Sequence, residues 1–404
     1  MRSHMTSRRA FVSGALAAGA AAMLPRCVFA DAATDARFVL VILRGALDGL
    51  AAVPAYGDGA YASKRGALAI TAPQLKLDGM FALNPSLTQL HERFQSRELI
   101  VFHAVASPYR ERSHFDGQDL LENGTSAPKS AHDGWLNRAL PLLPEAKQRA
   151  TDRVALALAQ NVPLVLRGDA RVGSWAPSRL PDTDSDTLQR ITDLYSTDEY
   201  FASRLQSALA ADSVVGEGEG MGAGRRDPLN ALNTVAAAAG KFLAAADGPR
   251  IAVLEATGWD THANQGAERG QLANRLRGLD QALNSLRTSL AGAWARSAVL
   301  VVTEFGRTVA VNGTGGTDHG TATCAFLVGG AVAGGRVVAD WPGLASSALY
   351  EGRDLRPTLD LRSIMKSALA SHLGAAESGI EEQVFPGSRA VRPLDDLFKH
   401  GLSG

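Results

Sequence analysis

Cysteine is scarce in this sequence, with two among 404 residues. So few thiols exclude a disulfide-rich scaffold and a cysteine-based metal cluster. An excess of charge of one sign is also absent, since Lys and Arg together number 41 and Asp and Glu together number 41. This balance gives no indication of a nucleic-acid partner or an anionic membrane surface. The 46% of hydrophobic residues is typical of a folded globular chain.

The apolar stretch near the N-terminus is too short to cross a membrane. Val12–Leu24 has 13 residues, whereas a transmembrane helix needs roughly 20. It follows Arg8-Arg9, in a segment that resembles a twin-arginine (Tat) export signal, and precedes a small-x-small cleavage site at 28–30. We interpret 1–5 as a cloning scar and 6–30 as a Tat signal peptide. The sequence thus predicts a periplasmic or secreted protein without a transmembrane span, slightly acidic after cleavage, with Cys324 as its remaining thiol.

Short apolar runs of strand length alternate with helical patterns along the chain. A leucine stripe from Leu272 to Leu290, spaced by four and three residues, predicts a long helix between two of these runs. Such a unit is a βαβ crossover. The sequence therefore predicts an α/β fold, a mostly parallel sheet with helices on both faces. The predicted strands are 38–43, 99–105, 154–158, 251–254, 298–303 and 324–328.

One domain is expected to cover 31–404. Weaker strand patterns at 130–245 predict a cap or insertion, and the glycine-rich segment 212–228 predicts a mobile loop. A further helix is expected at about 361–373. The oligomeric state stays open.

Carboxylates, histidines and arginines follow or flank the predicted strands, where open α/β sheets bind ligands. Imidazole and carboxylate are the usual ligands of zinc, manganese or iron, and carboxylate oxygen also suits calcium. A guanidinium fits the oxygens of phosphate or sulfate. The candidate metal ligands are Asp48, Asp260, His262, Glu304, Asp318 and His319, and the candidate anion-binding residues are Arg44, Arg112 and Arg307.

These residues also have purely structural interpretations. Asp48 is well placed to cap the helix after the first strand, and Asp260 with His262 to cap the long helix. Glu304 is close enough in sequence to pair with Arg307, and His114 with Asp116. Because so many carboxylates, histidines and arginines lie at strand ends, the pattern favours a functional site.

A set of segments stands in order along the chain: LVILRGALDGL (40–50), SPYRERSHFDGQDLLENG (107–124), DGWLNRAL (133–140), GWDTHANQ (258–265), TEFGRT (303–308), GGTDHGTAT (315–323) and DWPGL (340–344). In these segments the chain resembles the domain of unknown function 1501 family, Tat-exported proteins allied to sulfatases and the alkaline phosphatase superfamily. The resemblance covers nearly all of 37–395.

The resemblance implies an alkaline phosphatase/sulfatase-like fold with up to two metal ions and a nucleophile at a helix start. Asp48 resembles the first metal aspartate, and Ser113 the nucleophile, with His114 as the competing match. Asp260 with His262, and later His319, resemble further metal ligands.

The chain also departs from the superfamily pattern. Glu304 and Phe305 stand where an Asp-His pair is usual, and the chain has no Cys-x-Pro-x-Arg sulfatase signature. A one-metal or rebuilt site is therefore expected, without sulfatase chemistry on a modified cysteine.

Three functions are consistent with this pattern. The first is a metal-dependent hydrolase or transferase acting on a phosphate, sulfate or related ester in the cell envelope, with an anionic small molecule or envelope polymer as substrate. The second is a non-catalytic polysaccharide-binding protein of the envelope. The third, a metal-free esterase using Ser113, is disfavoured because the mature chain has no Gly-x-Ser-x-Gly elbow.

Overall fold

The structure is a computed structural model that describes residues 35–144, 154–177, 185–195, 197–215 and 228–399. The predicted signal peptide and its cleavage site lie outside these ranges, as do residues 216–227 of the predicted mobile loop. Residues 212–215 of that loop belong to a helix. Within the described ranges, the helices are all too short or too polar to cross a membrane.

A large mixed sheet organises the described part of the chain. Its strand order is β10-β4-β9-β8-β1-β7-β5-β6, with β11 also paired to β4, and a separate hairpin joins β2 to β3. The strands are β1 Arg37–Arg44, β2 Leu75–Lys76, β3 Ala82–Leu83, β4 Leu99–Ala106, β5 Ala155–Ala157, β6 Gly173–Ser174, β7 Ile251–Thr257, β8 Ser297–Thr303, β9 Thr323–Val328, β10 Arg336–Val338 and β11 Leu359–Asp360.

The six strands predicted from apolar runs are all present. In β1 every residue from Phe38 to Leu43 is at most 2% exposed. Successive side chains of a strand point to opposite faces, so both faces of the sheet are covered. On one face, Phe38, Leu40 and Ile42 pack in a cluster with Trp135 and Ile364.

Strand β9 runs against its neighbours. It is antiparallel to both β4 and β8, whereas β8, β1, β7 and β5 are mutually parallel. The start of β9 therefore lies at the same edge as the ends of β4, β7 and β8. This direction brings the loop before β9 to the edge where the candidate residues were expected.

The long helix has the predicted stripe. All six of its leucines, from Leu272 to Leu290, are buried. The helix connects β7 to β8, which are both parallel to β1 and lie on either side of it. The predicted βαβ crossover from β7 to β8 is confirmed, and β1 lies between these two strands in the sheet.

The helices have the following bounds. The α-helices are α1 Gly49–Ala52, α2 Tyr61–Arg65, α3 Thr88–Gln95, α4 His114–Asn123, α5 Trp135–Ala139, α6 Ser185–Tyr195, α7 Glu199–Val215, α8 Pro228–Ala244, α9 Gln271–Leu290, α10 Leu361–Ser367 and α11 Glu377–Gly379. Short 3-10 segments lie at Gly66–Leu68, Leu140–Leu142, Leu164–Leu166 and Ala291–Arg296, and π-helical turns at Ala368–His372 and Ile380–Val384.

The chain divides into two compact units. One contains the sheet. The other contains α6 and α7, where Tyr195 stacks on Phe201 with ring centroids 5.2 Å apart. The predicted insertion at 130–245 includes residues of both units, so its identity as a cap remains a proposal.

Candidate metal centre

Three side chains meet at the carboxyl edge of the parallel strands. His114 opens α4 after β4, Asp260 follows β7, and His319 precedes β9. One ligand atom from each lies within 4.8 Å of the others. Asp260 is the central member, because Oδ2 is 3.3 Å from His114 Nε2 and Oδ1 is 3.3 Å from His319 Nε2.

His114 has one well hydrogen-bonded ring nitrogen and one that is buried and poorly satisfied. Its Nδ1 donates to Oε1 of Glu304 at 2.8 Å, and its ring stacks on Phe305. The hydrogen bond to Glu304 raises the pKa of His114 against the opposing effect of burial. Nε2 is buried, and its polar neighbour, Oδ2 of Asp260 at 3.3 Å, is not aligned for a good hydrogen bond. A buried nitrogen left in this state is costly unless a ligand satisfies it.

Glu304 is the buried partner of His114. It also accepts hydrogen bonds from the Gly45 amide at 2.9 Å and from Gln118 Nε2 at 3.1 Å. Burial alone would raise the pKa of Glu304, but the hydrogen bond from His114 and its other bonds outweigh burial and lower it. Glu304 is therefore a carboxylate that fixes the orientation of His114, and lies behind that ring.

His319 is oriented in the same way as His114, with Nδ1 as the hydrogen-bond donor. Its Nδ1 donates to the backbone carbonyl of Arg112 at 2.9 Å. Burial, followed by the charge of His114, lowers the pKa of His319. The neutral ring thus has its lone pair on Nε2, facing Asp260. Metal-binding histidines are commonly fixed in this way by a carbonyl or carboxylate on the far nitrogen.

Asp260 is ionised through contact with Arg307. Burial would raise the pKa of Asp260, but the hydrogen bond and charge of Arg307 lower it. Nη1 of Arg307 donates to Oδ1 of Asp260, and its other nitrogens donate to Thr317. Arg307, predicted to bind a substrate anion, is thus the partner of Asp260 and not of Glu304.

His262 and Asp318 lie at the exposed rim of this group. Nε2 of His262 is 3.0 Å from Oδ1 of Asp260 and 3.0 Å from Nε2 of His319. Its Nδ1 is 3.4 Å from Asp318. A hydrogen bond from Asn312, ahead of the opposing effect of burial, lowers the pKa of Asp318.

Ser113 occupies the position immediately before α4. It is half-buried, and its backbone amide donates to the hydroxyl of Tyr109 at 3.1 Å. The residue that joins Asp260 and His319 is the next one, His114. Ser113 as nucleophile stays a prediction.

Asp48 lies in a buried ion pair. Its Oδ2 is 2.5 Å from Nη2 of Arg65 and also accepts from Gln265 Nε2 at 2.7 Å. Its Oδ1 caps α1 at the amide of Ala51. Asp48 thus has the capping role that the sequence left open, and we do not place it among the proposed metal ligands. Arg65, in α2, and Gln265, in the loop after β7, were not among the residues predicted for the site, because an arginine within a helix and a neutral amide do not suggest a metal ligand.

The two other arginines expected to bind an anion are also paired. Arg44 contacts Glu122 at 2.8 Å and Glu255 through Nε at 2.6 Å. Arg112 contacts Asp354 at 2.8 Å and Glu351 at 2.5 Å. A substrate anion would have to compete with these carboxylates.

Solved structures that include a sulfatase and a phosphonate monoester hydrolase are similar to the chain at low identity. The C-terminal periplasmic domain of EcEptC from Escherichia coli, in complex with Zn, is 11% identical at a TM-score of 0.41, over 89% of each chain. The PsFucS1 sulfatase from Pseudoalteromonas sp. is 12% identical at 0.40, over 97% of this chain and 75% of that one. Phosphonate monoester hydrolase of Agrobacterium radiobacter is 12% identical at a TM-score of 0.39, over 84% of this chain and 74% of that one.

These scores are all below 0.5, so functional inference depends on the side chains of this chain. No curated protein sequence matches it. One family model does match, over residues 103–383, and is described as Protein of unknown function (DUF1501). The chain therefore belongs to the DUF1501 family.

Proposed function

We propose that this protein is a metal-dependent hydrolase or transferase of phosphate, sulfate or related esters, exported to the cell envelope. The observation that carries the proposal is the convergence of His114, Asp260 and His319, whose ligand atoms lie within 4.8 Å of one another, with Nε2 of His114 buried and poorly aligned with its carboxylate neighbour. A divalent cation bound to these three residues would satisfy that nitrogen.

The donor set fits such an ion. Two imidazoles and one carboxylate are typical of catalytic zinc sites with three protein ligands, and of non-haem iron sites. A bound divalent ion supplies Lewis acidity, which polarises an ester and stabilises the charge that develops on it.

The surrounding residues would orient the ligands and handle protons. Glu304 and the Arg112 carbonyl hold the two rings so that each directs Nε2 toward Asp260. His262 is half exposed, with Nδ1 facing Asp318, and is placed to exchange a proton with a substrate oxygen or with solvent. Ser113, at the start of α4, is the proposed nucleophile if a covalent intermediate forms.

A second candidate function is non-catalytic binding of an envelope polysaccharide. The observation in its favour is that Arg44, Arg112 and Arg307 are each paired with a carboxylate. An ester anion would then find no uncommitted guanidinium among these three.

Metal analysis combined with an ester panel tests the proposal. We expect the purified protein to retain a divalent metal, His319→Ala to lose it, and the exposed His132→Ala to keep it. Phosphate monoester, phosphate diester and sulfate ester would be assayed with all three proteins, and turnover should be lost with the metal. Metal-free wild-type protein, with activity unchanged in His319→Ala, would refute the proposal. Metal binding without turnover would favour the polysaccharide-binding alternative.

A further inference from the structure

A cavity of about 210 Å³ lies at the end of β7, within the unit that contains the sheet. Its walls come from β7 and the residues after it, from α8 and from α9. Pockets for drug-sized ligands have volumes of roughly 300–1,000 Å³. The occupant of this cavity would therefore be smaller.

Most of the wall is apolar. Leu158, Leu232, Val235 and Trp259 line it. The indole nitrogen of Trp259 already donates to the carbonyl of Ala256 at 3.1 Å, so the ring is left for apolar contact. A small hydrophobic body, and in particular a planar one, suits these walls.

Two charged side chains also line the cavity, and they differ in their partners. Glu255 is held by Arg44 at 2.6 Å. Arg275 makes one hydrogen bond in the described part of the chain, from Nη1 to the carbonyl of Thr257 at 3.3 Å, and its buried Nε makes none. Arg275 is therefore the charged side chain of the cavity whose donors are least committed.

The backbone beside Arg275 is shaped to accommodate it. Gly258 has φ +90°, and a Cβ at this position would lie 2.4 Å from Cζ of Arg275. The guanidinium thus lies against a residue that has no side chain. Any other residue at 258 would be strained and would displace the charged group.

We propose that this cavity binds a small apolar carboxylate of about the size of benzoate. The hydrophobic body would contact Trp259 and Val235, and the carboxylate would accept hydrogen bonds from Arg275. A guanidinium matches a carboxylate in charge and geometry, and the two terminal nitrogens of Arg275 have one long hydrogen bond between them in the described part of the chain. The cavity is distinct from the three-residue metal centre, although Asp260 directly follows Trp259 in the chain.

Calorimetric titration with benzoate at pH 7 tests this assignment, with benzyl alcohol as the neutral analogue. We expect saturable binding of benzoate and at least about tenfold weaker binding of benzyl alcohol, because only the acid can form the charge-assisted hydrogen bonds. Equal affinity for the two compounds, or no saturable benzoate binding, would overturn the proposal.

Variants locate the binding site. Arg275→Gln and Gly258→Ala should each weaken benzoate binding about tenfold or more, whereas Arg277→Gln, an exposed position on the same helix, should not. Both cavity variants are checked for an unchanged circular dichroism spectrum. If Gly258→Ala does not fold, the result with Arg275→Gln decides the test. Because benzoate is also able to bind a metal, His319→Ala is titrated in parallel and should bind it normally. Loss in His319→Ala with retention in Arg275→Gln would assign the ligand to the metal centre and overturn the proposal.

Discussion

Nδ1 of His319 donates to the backbone carbonyl of Arg112 at 2.9 Å, and Arg112 has a left-handed backbone with φ 62°. A non-glycine residue in this region costs about 1 kcal/mol or more, so the surroundings must hold it there. The ion pairs of its side chain with Asp354 and Glu351 anchor the loop. Arg112 would thereby act on the proposed metal centre through its main chain, as a positioning residue.

Replacing Arg112 by alanine should weaken metal binding. Loss of both ion pairs frees the carbonyl that orients His319, and removal of such outer partners typically costs 10- to 100-fold in metal affinity. Competition with a chromogenic chelator measures the change. Arg97→Ala is the matched control, because Arg97 is an exposed arginine with φ 59° outside the site. Equal affinities of the Arg112 variant and wild type would show that the carbonyl is held by other means.

Glu304→Gln should lower both the pKa of His114 and the affinity for metal. The hydrogen bond from His114 to Glu304 is the leading cause of the raised pKa of that histidine, and the neutral amide removes the charge that favours the imidazolium. NMR titration of the His114 ring in metal-free protein reports the pKa, and chelator competition reports the affinity. The control is Glu98→Gln, at a carboxylate paired with Arg93. A His114 pKa that does not move would contradict the assigned role of Glu304.

Two buried histidines should make the protein sensitive to acid. Burial lowers the pKa of His103 and of His372 to about 4, from an ordinary value near 6.5. Above pH 6.5 both rings are neutral in the folded and in the unfolded chain, so stability does not depend on their protonation. Between pH 6.5 and 4 the unfolded chain binds protons that the folded chain does not, which lowers the free energy of unfolding by about 3 kcal/mol for each ring.

Urea unfolding at pH values from 7.5 to 4 tests this expectation. His103→Gln should show a shallower fall in the free energy of unfolding than wild type, and His132→Gln, at an exposed position, should show the same fall. Parallel curves for wild type and the His103 variant would mean that His103 is not the source of the dependence.

The buried pair of Asp48 and Arg65 should be important for stability and silent for metal binding. Both side chains are at most 2% exposed. Removing Arg65 alone, as in Arg65→Met, leaves an unpaired buried carboxylate and should cost about 3–5 kcal/mol in the free energy of unfolding. The double variant Asp48→Asn/Arg65→Met should recover part of the loss in a double-mutant cycle.

Asp48→Asn distinguishes the two interpretations of this residue. Folded Asp48→Asn should keep the metal content of wild type, since the carboxylate is committed to Arg65 and Gln265. Loss of metal in this variant, with its unfolding transition intact, would return Asp48 to the set of ligands.

Long strands were predictable from this sequence, and short ones were not. The continuous apolar runs at 38–43 and 298–303 have no helical period and are buried on both faces. By contrast, Gly173–Ser174 and Leu359–Asp360 are two-residue strands without such a run. Their position depends on a neighbouring strand and not on their own composition.

The candidate site was predictable as a set of positions, but its partnerships were not. Asp260, Glu304 and His319 were expected from their places at strand ends, and these places bring them to one edge. The pairing of Arg307 with Asp260, and of Glu304 with His114, depends on loop conformation. Spacing along the chain carries no information about which carboxylate neutralises which cation.

The reversed direction of β9 makes the proposed metal centre depend on the pairing of distant strands. His114 arrives after β4, Asp260 after β7, and His319 from the opposite direction, before a strand that fits between β4 and β8. The three ligand atoms can therefore meet only when the strands from β4 through β9, β8 and β1 to β7 are in place. Under the proposed function, a partly folded chain would have no high-affinity site, and metal uptake would report completed folding. Bound metal would in turn stabilise the whole sheet by mass action.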